Sequence, residues 1–137
     1  MFTIAQLREG LNTPKWQVTP FMERVLKEGG TCAPLLVALV EEHLEHDMDE
    51  TLRERHDLLH ALLLLRELAH KPAWPKLLRL YGLSAEVREA LLGEVLTEVG
   101  PSLLARCYDP AMEVETLSFL REEAPDPLAR RQLMGLW

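Results

Sequence analysis

The amino-acid sequence predicts an all-α fold, and three observations carry that prediction. Ala, Leu, Glu and Arg dominate while β-branched residues are scarce and aromatics make up only 6%, a composition that favours helix over strand. Apolar residues recur at three- and four-residue spacing through nearly every segment. Proline and glycine punctuate the chain at short intervals, several of the prolines just behind a capping residue. With 137 residues, 47% of them hydrophobic, the chain has one domain's worth of sequence (1–137) and enough apolar surface for a real core.

Taken in order, Thr3 caps a short helix to about Leu11, with Ile4, Leu7, Arg8 and Leu11 at helical spacing. Asn12-Thr13-Pro14 ends it, and Trp16 and Val18 lie in a connector packed on the core. Thr19-Pro20 opens a second helix, a capping residue followed by proline at the first position, and Gly29-Gly30 closes it. Its buried stripe is Phe21, Met22, Val25 and Leu26. A third helix starts between Thr31 and Pro34, with Leu36, Leu39, Val40 and Leu44 inward and Glu41, Glu42 and Glu45 toward water.

After a turn near Asp47 to Glu50 comes the central helix, roughly Thr51 to Ala69. On a wheel of about 100° per residue, Leu58, Leu62, Leu65 and Ala69 fall together, with Ala61, Leu64 and Leu68 beside them. Leu52, Leu59 and Leu63 form a second stripe. A helix apolar on two sides is sandwiched between neighbours, so this one is the core of the fold. Between the stripes runs a polar strip of Arg53, His56, His60, Glu67 and Lys71.

Beyond the break at Lys71 to Pro75, Pro75 starts a helix that Gly82 stops. Ser84 caps a helix read as continuous through Val99, with Val87, Leu91 and Val95 on one face. Gly100-Pro101 breaks the chain again. Asp109-Pro110 starts a helix with Val114, Leu117 and Leu120 inward, and Asp126-Pro127 begins the last one. Pro75, Pro101 and Pro127 recur every 26 residues, each read as the start of a helix. Helix pairs joined by such corners build α-solenoids, so the expected architecture is a compact, irregular HEAT-like stack of about eight or nine helices.

Residues 56–108 also carry a resemblance. LHALLLLRELAHKPAWPKLLRLYGL followed by LLGEVLTEVGPSLLARCYD resembles an uncharacterised bacterial domain-of-unknown-function family of HEAT-like helical-repeat proteins. The matching positions are Leu59, His60, Pro75, Leu77, Leu78, Leu92, Gly93, Tyr108 and Asp109. Glu94 stands where that family usually has Asp, and Pro110 where a glycine turn is usual. Longer relatives can carry a C-terminal SEC-C zinc motif, for which this sequence lacks the cysteines. The resemblance implies a helical-repeat fold and supplies no activity.

Charge and motifs narrow the function. The net charge of −7 and the lack of a basic cluster disfavour nucleic acid as a partner. Residues 41–57 hold eight acidic and two basic residues, nearly the whole net charge. This segment, with Glu41, Glu42, Glu45, Asp47, Asp49 and Glu50, is a candidate surface for a basic partner. Leu133, Leu136 and Trp137, together with Met134, leave an apolar end on the stack, a second candidate surface and a route to a homodimer through the C-terminal helix. Cys32 and Cys107 stand far apart and read as small core residues in a reducing compartment. No apolar run approaches the ~20 residues that span a bilayer, and the N-terminus lacks a signal-peptide pattern. The expectation is a soluble cytoplasmic protein without cofactor or membrane association.

Chemistry is thinly represented. His56 and His60 at i, i+4 with Glu67 are candidate metal ligands, but Glu67 is about 10 Å further along the axis and there is no HExxH. His43 and His46 beside Asp47 and Asp49 do not match a calcium loop. No serine stands in a GxSxG elbow. The expected function is therefore a non-enzymatic helical interaction or adaptor module, with a metal-dependent helical protein built on His56, His60 and Glu67 as the alternative.

Overall fold

A computed structural model describes residues 2–12, 15–46, 56–122 and 126–136. Among the described residues nine α-helices follow one another, with no strand. Helix α1 (Ile4–Leu11) opens in a capping box: the Thr3 hydroxyl accepts from the Gln6 amide at 3.2 Å, and the Gln6 side chain accepts from the Thr3 amide at 2.9 Å. Leu7 and Leu11 are fully buried.

Helix α2 spans Lys15–Glu28, so it starts before Thr19-Pro20 and takes in the expected connector. Pro20 lies inside it. Proline forfeits one helical hydrogen bond, but its φ is already helical, and continuing the helix through it sets Val18 and Val25 on one buried face. Leu26, expected on the buried stripe, is instead 36% exposed. Helix α3 (Ala33–Glu45) carries Pro34 in its first turn and buries Leu36, Leu39, Val40 and Leu44 as its pattern predicts.

Helix α4 (Asp57–Leu68) is the hub; the earlier start expected at Thr51 falls outside the described residues. It packs against α1, α2 and α3 and against two later helices, α6 (Ala85–Leu92) and α7 (Val95–Cys107). Leu58, Ala61, Leu62, Leu64 and Leu65, the first stripe read from the wheel, are buried, whereas Leu59 and Leu63 of the second stripe are only partly buried. Its end is closed by Ala69 in the left-handed region at φ 49° and by Arg106, whose guanidinium donates to the carbonyls of Arg66 at 2.8 Å and Glu67 at 3.2 Å.

A 3₁₀ turn at Lys71–Ala73 leads into α5 (Trp74–Gly82), which buries Trp74, Leu77, Leu80 and Tyr81. Ser84 caps α6, its hydroxyl accepting from the Val87 amide at 3.2 Å. The helix expected to continue to Val99 ends at Leu92, because Gly93 takes φ 62° and ψ −146°, a conformation open only to glycine. The break expected at Gly100-Pro101 is absent: both residues lie inside α7. There Leu96, Gly100, Leu103, Leu104 and Cys107 are buried on either side of the proline, and that burial offsets the one hydrogen bond Pro101 removes.

Helix α8 (Glu113–Glu122) follows a 3₁₀ turn, Pro110–Met112, in which the Asp109 carboxylate accepts from the Ala111 amide. Helix α9 (Pro127–Met134) starts from an Asp126 cap and packs on α7. Pro75 and Pro127 thus stand in first turns while Pro101 does not, so the 26-residue spacing does not mark equivalent positions. Helices as distant in sequence as α1 and α7 both pack on α4. Among the described residues no helix is long and apolar enough to cross a membrane.

Candidate functional site

Three of the eight acidic residues in 41–57, namely Glu41, Glu42 and Asp57, are tied to other elements of the fold. Lys76 on α5 donates to Glu41 at 2.9 Å, and the guanidinium of Arg8 on α1 donates to Glu42 at 2.8 Å. The hydrogen bond and charge of Lys76 hold the Glu41 carboxyl below its ordinary range. Asp57 is fully buried and accepts from His43 Nε2 at 3.1 Å, while His43 Nδ1 has no hydrogen-bond partner among the described residues. Glu45 is exposed, and Asp47, Asp49 and Glu50 lie outside the described residues. His43 and His46 do not share a surface, since His43 is buried and His46 exposed.

The histidine strip is split in the same way. His60 is buried, its Nδ1–H donating to the Leu11 carbonyl at 2.8 Å and so tying α4 to the end of α1. His56 is exposed, with its backbone amide donating to the Asn12 side chain at 2.8 Å and its ring 6.3 Å from that of His60. Glu67 is exposed and paired with Arg66 at 3.2 Å. No group of three or more His, Cys, Asp or Glu side chains among the described residues is arranged to hold a metal ion. Cys32 and Cys107 are buried free thiols, and burial pushes both further from thiolate formation, which makes them poor nucleophiles.

The C-terminal end is different. Leu133 is fully buried and belongs to the core, and Leu136 is partly buried against it, so neither forms the bare apolar end read from the sequence. Trp137 lies outside the described residues. The exposed apolar side chains here are Met134 at 61%, Val114 at 76% and Leu117 at 37%, two of which the helical pattern had turned inward. Leu117, Leu120 and Met134 line a groove of about 390 Å³ between α8 and α9, with Arg121 and Arg130 beside them. Among the described residues Glu113, Arg121 and Arg130 make no ion pair.

This surface stands on a rigid base. Trp74 Nε1 donates to the Thr116 hydroxyl at 2.8 Å, which in turn donates to the Met112 carbonyl at 2.8 Å. That chain decides the phase of α8: Thr116, fully buried, takes the inward position and rotates Val114 outward. Phe119 rests against Gly82 of α5, where an added Cβ would meet its ring at 3.2 Å. Helix α9 is held by Gln132, which accepts from the Tyr81 hydroxyl at 2.5 Å and donates to the Leu96 carbonyl at 2.9 Å. The buried Arg88 donates to Asp126 at 2.6 Å and to the Tyr81 and Leu83 carbonyls. Burial raises the Tyr81 hydroxyl well above its ordinary range, so it serves as a neutral donor. On the other side of α9 a cleft of about 520 Å³ opens between Pro101, Ala105, Leu128 and Arg131.

Sequence reasoning missed Thr116 because the wheel ranks side chains by apolarity, and a threonine that satisfies a buried indole counts there as polar. The single available signal was Trp74 itself, an aromatic in a helical core whose N–H requires an acceptor. Compared with protein-family models, curated proteins and solved structures, the chain matches none of them.

Proposed function

We propose that this protein is a non-enzymatic helical interaction or adaptor module whose contact surface is the α8–α9 end. The observation that carries the reading is the coexistence there of exposed Val114, Leu117 and Met134 with Glu113, Arg121 and Arg130, none ion-paired among the described residues, on helices locked from beneath. Exposed apolar side chains rimmed by charge on a stiff scaffold are what a protein partner recognises. The fold reading that goes with it is HEAT-like stacking of helix pairs such as α3 with α4, with α4 as hub instead of one repeat among equals. A cytoplasmic, reducing setting accords with two buried cysteines that remain unbridged. The exposed Glu45 and its neighbours Asp47, Asp49 and Glu50 are a secondary contact for a basic protein surface.

The metal-dependent alternative has less support, because His60 already spends Nδ1 on Leu11 and Glu67 is paired with Arg66. A photo-crosslinking amino acid in place of Leu117 tests the interaction reading in extract of the native host. A covalent protein adduct at position 117, missing when the same group replaces exposed Glu23 on α2, is the expected result. Equal, diffuse labelling at both positions would count against an interaction surface at α8.

A further inference from the structure

Helix α8 carries its exposed charges in a particular order. Glu113, Leu117 and Arg121 recur every fourth residue, so they form one ridge about 12 Å long on the helix surface. All three are exposed, and among the described residues neither Glu113 nor Arg121 has an ionic partner. Along the ridge the sequence is acid, apolar, base. Such a ridge is complementary to its own reverse.

We propose that the α8 face binds a second copy of this chain, antiparallel, about a two-fold axis passing at Leu117. That axis brings Leu117 against Leu117 of the other copy. It also sets Glu113 opposite Arg121 twice, once in each direction, as an isologous contact requires. A parallel arrangement would oppose like charges and is disfavoured by the same ridge. The exposed apolar groups Val114 on α8 and Met134 on α9 flank the ridge and are available to extend the contact. Arg130 beside the groove adds positive potential near Arg121 and draws the acidic first turn of the other copy, Glu113 and Glu115. A contact of one ridge and its flanks is smaller than the ~800 Å² per partner of a standard stable interface, so the pairing is concentration-dependent. The inference rests on the interaction reading above and names its occupant.

Sedimentation velocity of the purified protein from low micromolar to near millimolar concentration tests it. The expected result is a mass moving from monomer toward dimer as concentration rises. Leu117→Asp is expected to weaken association at least about tenfold, as truncation of a central contact residue does. Arg121→Glu alone is expected to weaken it, and the double variant Glu113→Arg/Arg121→Glu to restore it, because reversing both ends keeps the ridge self-complementary. Circular dichroism checks that each variant is folded. Because Leu117 is 37% exposed, Leu117→Asp is expected to lower the melting temperature, and the charge-reversal pair at exposed Glu113 and Arg121 carries the test independently of it. A monomer mass at every concentration would overturn the second copy as occupant, as would association that Leu117→Asp leaves intact or a double variant no better than Arg121→Glu. The photo-crosslinker at position 117 separates this from the parent reading: adducts with another protein and none with itself overturn the dimer alone, whereas no position-specific adduct of either kind overturns both.

Discussion

The two ends of this molecule treat their polar groups in opposite ways. Around α3 and α4 the conspicuous charges are turned inward or tied across helices: Asp57 to His43, His60 to the Leu11 carbonyl, Glu42 to Arg8, Glu41 to Lys76. Around α8 and α9 the internal bonds are made by neutral groups (Trp74 to Thr116, Tyr81 to Gln132) and by the Arg88–Asp126 pair, while Glu113, Arg121 and Arg130 are left over among the described residues. The α3–α4 region has the stronger charge pattern in the sequence, and among its described residues Glu41, Glu42 and Asp57 are already engaged. The α8–α9 region has a sparser charge pattern, but its exposed Glu113, Arg121 and Arg130 make no ion pair among the described residues. Density of charge along a chain therefore does not measure what a surface can bind; what counts is how many of those charges the fold has already used.

Substitutions can break that contrast, beginning with the largest effect. Asp57→Ala removes the hydrogen-bond partner of His43 Nε2 and leaves a buried imidazole beside a void, which costs about 3 kcal/mol in denaturant unfolding. A loss below about 0.5 kcal/mol, typical of a surface change, would show that the acidic segment is not internally committed. Next is Gly100→Ala. Its Cβ would run into the Gln132 amide and the Tyr81 hydroxyl, so about 2 kcal/mol is lost, and hydrogen exchange should show α9 amides losing protection ahead of α4 amides.

Thr116→Val keeps the volume and removes the acceptor for Trp74 Nε1, at about 1–2 kcal/mol. It sharpens the comparison because the loosening should be confined to α8, visible as faster exchange there with α1 to α4 unchanged. The smallest effect is that of Glu41→Gln. Lys76 depresses the Glu41 carboxyl in the folded protein below its ordinary value of 4.5, so the pair stabilises the fold above that pH and loses its contribution as pH falls through the folded value. The variant should therefore show a shallower loss of stability on acidification below about pH 4.5 than the wild type, with no change in the α8–α9 surface.

Much of the fold was legible from residues alone, and specific positions show where legibility ends. Thr3, Ser84 and Asp126 cap helices as their types and positions foretell, because a cap is a bond between residues three apart. The buried stripe of α4 (Leu58, Ala61, Leu62, Leu64 and Leu65) follows from its own periodicity. The errors fall chiefly on proline, on Gly93, which ends a helix read as continuous, and on Thr116. Pro20 and Pro101 look like helix starts, yet both lie within helices, because local propensity is outweighed where the flanking residues are buried by other elements. Of the apolar residues read at the C-terminal end, Met134 is exposed as expected while Leu133 is core, and Val114, read as inward, faces outward.

By itself, then, the sequence determined what depends on near neighbours: helical class, caps and the core helix. Tertiary structure alone decided which charges were free and which way α8 faces. Those outcomes depend on partners far along the chain, such as Trp74 for Thr116 and Lys76 for Glu41, and no local pattern encodes a contact 35 or 42 residues away.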